Sequence, residues 1–353
     1  MNVWCCFGED RLNIYRLQGC HVVYLTEPNH DLTALLALKL GRLDGRLQNS
    51  PCTDIWLARA RLNGAAELAR LAGSLRMPVA EFQNLMAGRT LPPRVQKDLN
   101  GAIPVAAVFH IALSRDESIL DPVAGATLNI LRTVLVRRAN PNVRSKFDML
   151  SFGPMWQRVR DATDAPLARR DLQGIAERVL EISEIISRFP VAEADVTSLD
   201  GRKMSLQLQG CPPTCLIGAE MPRLLRRAGL TLRNLPSLVL LPSLLPASSE
   251  ELANVLLGAL DKSVSHGLRD LNAIELAMHR AKKRFKNKRS KAMLFDRLDI
   301  AYPGLTALAA ERLLGINKKT ARKLAKPVTT EAGSRTECDQ PLETGVPAKG
   351  SLF

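Results

Sequence analysis

Four basic side chains near the C-terminal end are spaced for contact with nucleic acid. Lys318, Lys319, Arg322 and Lys323 follow a Gly-Ile-Asn sequence. Residues three and four apart are neighbours on the surface of a helix, so these side chains are expected to share one broad face. Lysine and arginine donate hydrogen bonds to phosphate oxygens and to guanine O6 and N7. The pattern therefore favours contact between this face and DNA.

The surrounding residues predict the two helices and the turn that would present this face. The first helix is expected to end just before Gly315, which suits the positive φ of a tight turn. Ile316 can fill the angle between the helices, and Asn317 is a good N-cap for the second helix. Ala321 and Leu324 are expected to face the first helix. This layout is a helix-turn-helix, in which the second helix enters the major groove of DNA.

The sequence upstream adds a further helix and a basic run. A helix over residues 291–301, with Met293, Leu294 and Leu298 facing inward, would complete a three-helix unit. RNA readers add exposed aromatic side chains for stacking, and the basic run 282–291 contains only Phe285, so duplex DNA is favoured over RNA. The predicted DNA contacts are Lys282, Lys283, Arg284, Lys286, Lys288, Arg289, Lys318, Lys319, Thr320, Arg322, Lys323 and Lys326.

The positive charge of the chain is concentrated at this end. The 353 residues include 49 Lys or Arg and 35 Asp or Glu, which give a formal net charge of +14. Residues 279–326 hold 15 basic and 3 acidic side chains, whereas residues 1–278 hold 32 and 28. Such confinement indicates an electrostatic footprint for nucleic acid. A solvated, lysine-rich helical face is the alternative explanation.

Composition and periodicity predict a mainly α fold. Aromatic residues make up only 4% of the chain, so the core must be built from aliphatic side chains, and Ala and Leu favour helices. We expect a multi-helix N-terminal body, a small β-hairpin insertion and a C-terminal three-helix helix-turn-helix domain. The predicted divisions are a helical domain over residues 31–190, a hairpin and Pro-rich connector region over 191–266, a basic helix-turn-helix domain over 267–326 and a disordered tail over 327–353.

Apolar residues spaced three or four apart predict the individual helices. Helices are expected at residues 31–49, 53–75, shortly after 78, at 102–113, 123–138, 172–189 and 250–260, and from 268 onward. The buried face predicted for the first of them consists of Leu32, Leu35, Leu36, Leu40, Leu43 and Leu47.

Other local patterns predict the non-helical stretches and two core side chains. An Asp-Gly turn between alternating runs predicts a hairpin over residues 194–208. The prolines of residues 235–246 exclude one regular helix and suggest a connector with buried leucines. Trp56 is interpreted as a packing anchor between helices, and His110 as a hydrogen-bonded core residue.

No motif of a known catalytic centre is present, and no catalytic residue, cofactor or metal is predicted. Cys211 and Cys215 have a spacing found in zinc sites, but no further ligands follow at suitable positions, so two free thiols are expected. Two other hypotheses stay open. One is a plasmid or mobile-element DNA-processing enzyme that uses the same end for docking, with carboxylates from Asp161, Asp164, Asp171 and Glu177. The other is an interaction protein whose basic end binds an acidic partner.

Cellular location and oligomeric state are predicted from the N-terminal residues, the longest apolar run and the helix-turn-helix pattern. No signal peptide is evident, and residues 102–113 are too short to span a bilayer, which needs about 20 residues. A cytoplasmic protein with no membrane partner is therefore expected. Most helix-turn-helix readers bind paired half-sites as two-fold dimers, so a homodimer is predicted. The sequence does not indicate an effector.

The stretch LLGINKKTARKL resembles the turn and recognition helix of bacterial helix-turn-helix regulators. Glu311 departs from that pattern, because such motifs place a small residue four positions before the turn glycine. More widely, the chain is similar to a family of uncharacterised alphaproteobacterial, often plasmid-borne proteins with a helical N-terminal domain and a C-terminal helix-turn-helix. The stretches GRLDGRLQNSP, with Trp56 following, and KNKRSKAML leading into AYPGLTALAAERLLGI carry this resemblance. It implies DNA binding of unknown purpose and supplies no catalytic role. From the sequence as a whole we expect a sequence-specific DNA-binding protein that acts as a transcriptional regulator.

Overall fold

The structure is a computed structural model that describes residues 13–16, 22–25, 30–72, 79–89, 105–114, 122–128, 154–188, 193–197, 203–207, 212–282 and 290–325. The chain is mainly helical over these residues, as its composition predicts. The basic residues 283–289, Lys326 and the tail that was predicted to be disordered lie outside the described residues. The same holds for residues 129–138 of the helix predicted at 123–138.

The helices follow one another in twelve described segments, taken here in chain order. They are α1 (His30–Asn49), α2 (Thr53–Leu71), α3 (Val79–Met86), α4 (105–114), α5 (122–128), α6 (Pro154–Asp164), α7 (Leu172–Ser187), α8 (Pro213–Arg227), α9 (Ser249–Lys282), α10 (Ser290–Ala301), α11 (Ala307–Leu314) and α12 (Lys318–Ala325).

Two short pairs of antiparallel strands accompany the helices. Strands β1 (Asn13–Arg16) and β2 (Val22–Leu25) pair with Asn13 opposite Leu25. Strands β3 (Glu193–Thr197) and β4 (Lys203–Gln207) pair with Glu193 opposite Gln207. The second pair overlaps residues 194–208, for which the sequence predicts a hairpin.

The buried stripe of α1 is narrower than predicted. Leu36, Leu40, Leu43 and Leu47, spaced four and three apart, are at most 4% exposed. Leu35 is 47% exposed because it stands about 100° around the helix from Leu36. Leu32 is 37% exposed, since it lies in the first turn at the end of the packed face.

Helix α9 is a single helix of 34 residues, so the prediction of two separate helices here is wrong. Its start is as predicted, because the Ser248 side chain accepts a hydrogen bond from the Glu251 amide at 3.1 Å. The helix continues through Gly267, where the missing side chain leaves space for the ring of Trp56. A Cβ there would lie 3.1 Å from the Trp56 ring, and Trp56 Nε1 donates to the Gly267 carbonyl at 2.9 Å.

The indole of Trp56 is the packing anchor that the sequence predicted, at 2% exposure. The predicted boundary between residues 266 and 267 falls inside α9, which is about 51 Å long at 1.5 Å per residue.

The Pro-rich segment 235–246 forms no regular helix and buries most of its apolar side chains, as predicted. Leu235, Leu238, Val239 and Leu241 are at most 3% exposed. The segment crosses α2 where Gly64 has no side chain, which leaves space for a backbone carbonyl of the segment. The segment thereby covers α2 with leucines in place of a helix.

Helices α10 and α11 are fastened to the N-terminal body. The guanidinium of Arg297 forms an ion pair with Asp54, whose Oδ2 accepts from Arg297 Nε at 2.7 Å. The amide of Thr306 donates to the Ala87 carbonyl at 2.9 Å. Gly88, at φ +73°, allows this approach, because a Cβ there would lie 2.6 Å from Thr306 Oγ1.

Candidate nucleic-acid interface

The turn between α11 and α12 has the local geometry that the sequence predicts. Gly315 ends α11 in the left-handed conformation, at φ 56° and ψ 42°. The Glu311 carbonyl accepts from the Gly315 amide and also from the Ile316 amide, the latter at 3.2 Å, so both amides of the turn are paired with the end of the helix. Asn317 Oδ1 accepts from the Thr320 amide at 2.9 Å, so the predicted N-cap is confirmed.

Helix α12 is held against α11 by its small apolar face. Ala321 is fully buried, and Leu324 is half-buried, as predicted. On the α11 side, Leu313 and Leu314 are buried. Contact through an alanine brings the two helices close together and leaves the basic side of α12 facing solvent.

The prediction that Met293 faces inward on α10 is wrong. Met293 is 57% exposed, whereas Phe295 and Leu298 are buried. Two residues correspond to about 200° around a helix, so Met293 and Phe295 point to nearly opposite sides. Docking of α10 on α2 selects the face that carries the larger Phe295 ring.

The exposed side of α12 carries a cationic face, which we define as Lys318, Lys319, Arg322 and Lys323. All four side chains are exposed, and Thr320 is exposed among them. None of the four forms an ion pair with another residue of the described ranges. The charge of the face is therefore available to an external anion.

The structure places the other predicted DNA contacts only in part. Lys282 is the last residue of α9. The predictions for Lys283, Arg284, Lys286, Lys288, Arg289 and Lys326 lie outside the described residues.

Two further basic residues of this end have structural roles that the sequence did not indicate. Lys291 Nζ donates to the Leu314 carbonyl at 2.9 Å and so caps the C-terminal end of α11. Arg297 binds Asp54 on α2. A lysine beside the last carbonyls of a helix is a favourable arrangement, but its partner helix lies some twenty residues away in the chain. The excess charge of residues 279–326 is thus partly used within the fold.

Asp164 and Asp171, two of the carboxylates of the DNA-processing hypothesis, form hydrogen bonds within the chain. Arg223 donates to Asp164 through Nε at 2.7 Å and through Nη2 at 2.5 Å. Asp171 caps α7, since its Oδ1 accepts from the Gly174 amide at 2.8 Å, and this hydrogen bond lowers the pKa of the carboxyl. Among the described residues, no three His, Cys, Asp or Glu side chains are grouped to hold a metal ion.

Two core predictions need correction. His110 is fully buried, but neither of its ring nitrogens has a hydrogen-bond partner among the described residues, so the prediction of a hydrogen-bonded histidine is wrong there. Burial, with the charge of Arg61 as a second cause, lowers the pKa of His110 to about 3. Cys215 is buried and disulfide-bonded, so the expectation of a free thiol at this position is wrong. Cys211 lies outside the described residues.

Comparison of the sequence with protein-family models, with curated proteins and with solved structures gave no significant match. In the part of the chain that the structure describes, no helix combines the length and apolar character needed to cross a membrane.

Proposed function

We propose that this chain is a sequence-specific DNA-binding protein that acts as a transcriptional regulator and docks α12 in the major groove. In this proposal residues 267–326 serve as the basic helix-turn-helix domain, and residues 194–208 form a β-hairpin insertion in a helical body. Membership in the plasmid-borne alphaproteobacterial family and a cytoplasmic location belong to the same proposal.

The proposal is supported mainly by the cationic face, whose side chains form no ion pair with the described residues and whose helix is packed against α11 on its other side. Ala321 anchors α12 on α11, so the four basic side chains project together. An eight-residue helix is about 12 Å long, which is close to the width of the major groove. Lys318 and Lys319 at its N-terminal end are placed for the phosphates or base edges that recognition helices contact there.

The test compares wild-type protein with the triple variant Lys318→Ala, Lys319→Ala, Arg322→Ala. Genomic fragments enriched by the tagged wild-type protein supply the probe, and binding is followed by fluorescence anisotropy at several salt concentrations. We expect the triple variant to lose specific binding. Each phosphate contact that is lost should reduce the salt slope of log K by about 0.9.

A matched control removes three exposed cations elsewhere, with Arg42→Ala, Arg170→Ala and Arg226→Ala in one chain. Both triple variants should keep the wild-type circular dichroism spectrum and a free energy of unfolding within about 1 kcal/mol, because these side chains are exposed. The control should bind the probe almost as well as wild type. Equal binding by the two triple variants contradicts the proposal, as does a wild-type protein that enriches no fragment.

The proposal includes a homodimer, because most helix-turn-helix proteins place two recognition helices on half-sites one helical turn apart. Sedimentation of the protein–DNA complex from the same titration gives its stoichiometry. Two chains per probe support this part of the proposal, and one chain per probe overturns it.

A further inference from the structure

A large open cleft lies between α2, α3, α9 and the Pro-rich segment. Its volume is about 720 Å³. Small-molecule sites in proteins usually measure about 300–1,000 Å³. A second cavity, beside Trp156 and Glu220, measures only about 20 Å³, which is room for about one water. The larger cleft is therefore the one with the capacity for a metabolite.

One wall of the cleft is a cationic row on α9. Lys262, His266 and Arg269 line the cleft and are spaced four and three apart, so they lie on one side of the helix. All three are exposed, and none forms a hydrogen bond or an ion pair with another residue that the structure describes. Lys262 and Arg269 therefore present positive charge to whatever occupies the cleft.

The acidic groups of the cleft do not neutralise this row, because they already have partners. Asp270 accepts from Arg59 Nη1 at 2.5 Å. Glu67 accepts from Arg70 Nη2 at 2.6 Å. The balance inside the cleft consequently favours an anionic ligand.

The α2 and α3 side of the cleft carries neutral polar groups. Asn63 on α2 and Gln83 on α3 line the cleft with half-buried amides that have no hydrogen-bond partner among the described residues. Ser237 and Ser263 add hydroxyl groups. Among the described residues that line the cleft there is no Phe, Tyr or Trp, so the cleft lacks the large ring surfaces on which nucleobases usually stack. Hydroxyl-rich ligands suit such a wall better than aromatic ones.

We propose that this cleft binds a small phosphorylated sugar, with the phosphate on Lys262 and Arg269 and the sugar hydroxyls on Asn63 and Gln83. Lysine and arginine bind phosphate through charge-assisted hydrogen bonds. The side-chain amides of Asn63 and Gln83 supply hydrogen-bond donors and acceptors for the sugar hydroxyls. This site does not depend on the DNA-binding proposal.

Isothermal titration calorimetry of the full chain tests the site with glucose 6-phosphate and ribose 5-phosphate. Glucose, ribose and inorganic phosphate, at matched ionic strength, serve as partial ligands. We expect saturable binding of at least one sugar phosphate, at least tenfold tighter than its sugar or inorganic phosphate alone. The Lys262→Ala, Arg269→Ala variant should bind that sugar phosphate at least tenfold more weakly, whereas Arg42→Ala, Arg226→Ala should bind it like wild type.

The Asn63→Ala variant distinguishes a built site from a charged surface. It should weaken binding of the sugar phosphate severalfold and leave binding of inorganic phosphate unchanged. Equal losses for both ligands overturn the proposed orientation, and no saturable binding of either sugar phosphate overturns the site. If the Lys262→Ala, Arg269→Ala change weakens only duplex DNA, the row belongs to a DNA interface and the proposal is wrong. Melting temperatures near that of wild type show that each variant is folded.

Discussion

At the scale of single residues, burial governs the ionisation of His110. The imidazole on α4 is fully enclosed, and fully buried Arg61 contributes a repulsive positive charge. In the unfolded chain a histidine has a pKa of about 6.5, whereas in the folded chain the pKa of His110 is about 3. Below pH 6.5 the unfolded chain therefore binds a proton that the folded chain does not. Stability must fall as the pH is lowered from about 6.5 towards 3, by up to about 1.4 kcal/mol per pH unit.

The variant His110→Leu should remove this pH dependence. We expect its free energy of unfolding at pH 7.5 to equal or exceed that of wild type, because an unpaired buried polar ring is replaced by an apolar side chain. Between pH 6.5 and 4.5 it should lose less stability than wild type. Urea denaturation at pH 7.5, 6.5, 5.5 and 4.5 measures both quantities.

The control is His279→Asn, which changes an exposed ring at the end of α9. It should keep the wild-type dependence of stability on pH, because the buried site around His110 is unchanged. If the free energy of unfolding falls equally steeply with decreasing pH in His110→Leu and in wild type, groups other than His110 cause the loss of stability.

At the scale of elements, local signals predicted α12 and its turn, but tertiary contacts decided α9 and α10. Gly315, Asn317 and Ala321 act within a few residues of one another, so their roles can be inferred from the sequence alone. Gly267 is a poor helix former, yet α9 continues through it because Trp56, far away in the chain, packs there and binds its carbonyl. The exposure of Met293 likewise depends on which side of α10 meets α2. The cleft forms only where α2, α3, α9 and the Pro-rich segment meet.

A proline in the middle of α9 tests the continuity of this helix. Ser265→Pro removes one backbone hydrogen bond and clashes with the preceding turn, so we expect a loss of about 3 kcal/mol or more of unfolding free energy. Ser265→Ala, at the same half-buried position, should change stability by less than about 1 kcal/mol. Chemical denaturation of both variants provides the values. Equal stabilities would indicate a break near residue 266, as the sequence suggested.

At the scale of the whole molecule, the described helices share one hydrophobic core that extends from α1 to α12. The helices of the proposed DNA-binding end are therefore packed against the N-terminal body. Arg59 reinforces the connection, because it donates to Asp270 at 2.5 Å and to the Ile300 carbonyl at 2.6 Å. Body and C-terminal helices should consequently unfold together.

Asp54→Ala tests this cooperativity. The change leaves Arg297 without its carboxylate at a site where the two side chains are only 20% and 15% exposed. We expect a loss of about 2 kcal/mol, below the cost of breaking a fully buried pair. Calorimetry should show one transition, shifted to lower temperature as a whole.

The matched control is Glu184→Ala, which removes the exposed ion pair with Arg188. That pair is 74% and 64% exposed, so its removal should cost less than about 1 kcal/mol. If Asp54→Ala instead splits the calorimetric trace into two transitions, the C-terminal helices form a unit of their own.

The close approach at Gly88 has a consequence for genetics. A side chain at this position would meet Thr306 and Ala309, and the backbone there is at φ +73°, so any substitution strains the joint between α3 and α11. Alleles at codon 88 should therefore be temperature-sensitive, with their defect relieved by growth in the cold. Alleles at Lys318 or Lys319 alter an exposed face and should be equally defective at every temperature. The two classes would separate loss of the fold from loss of the interface without purifying the protein.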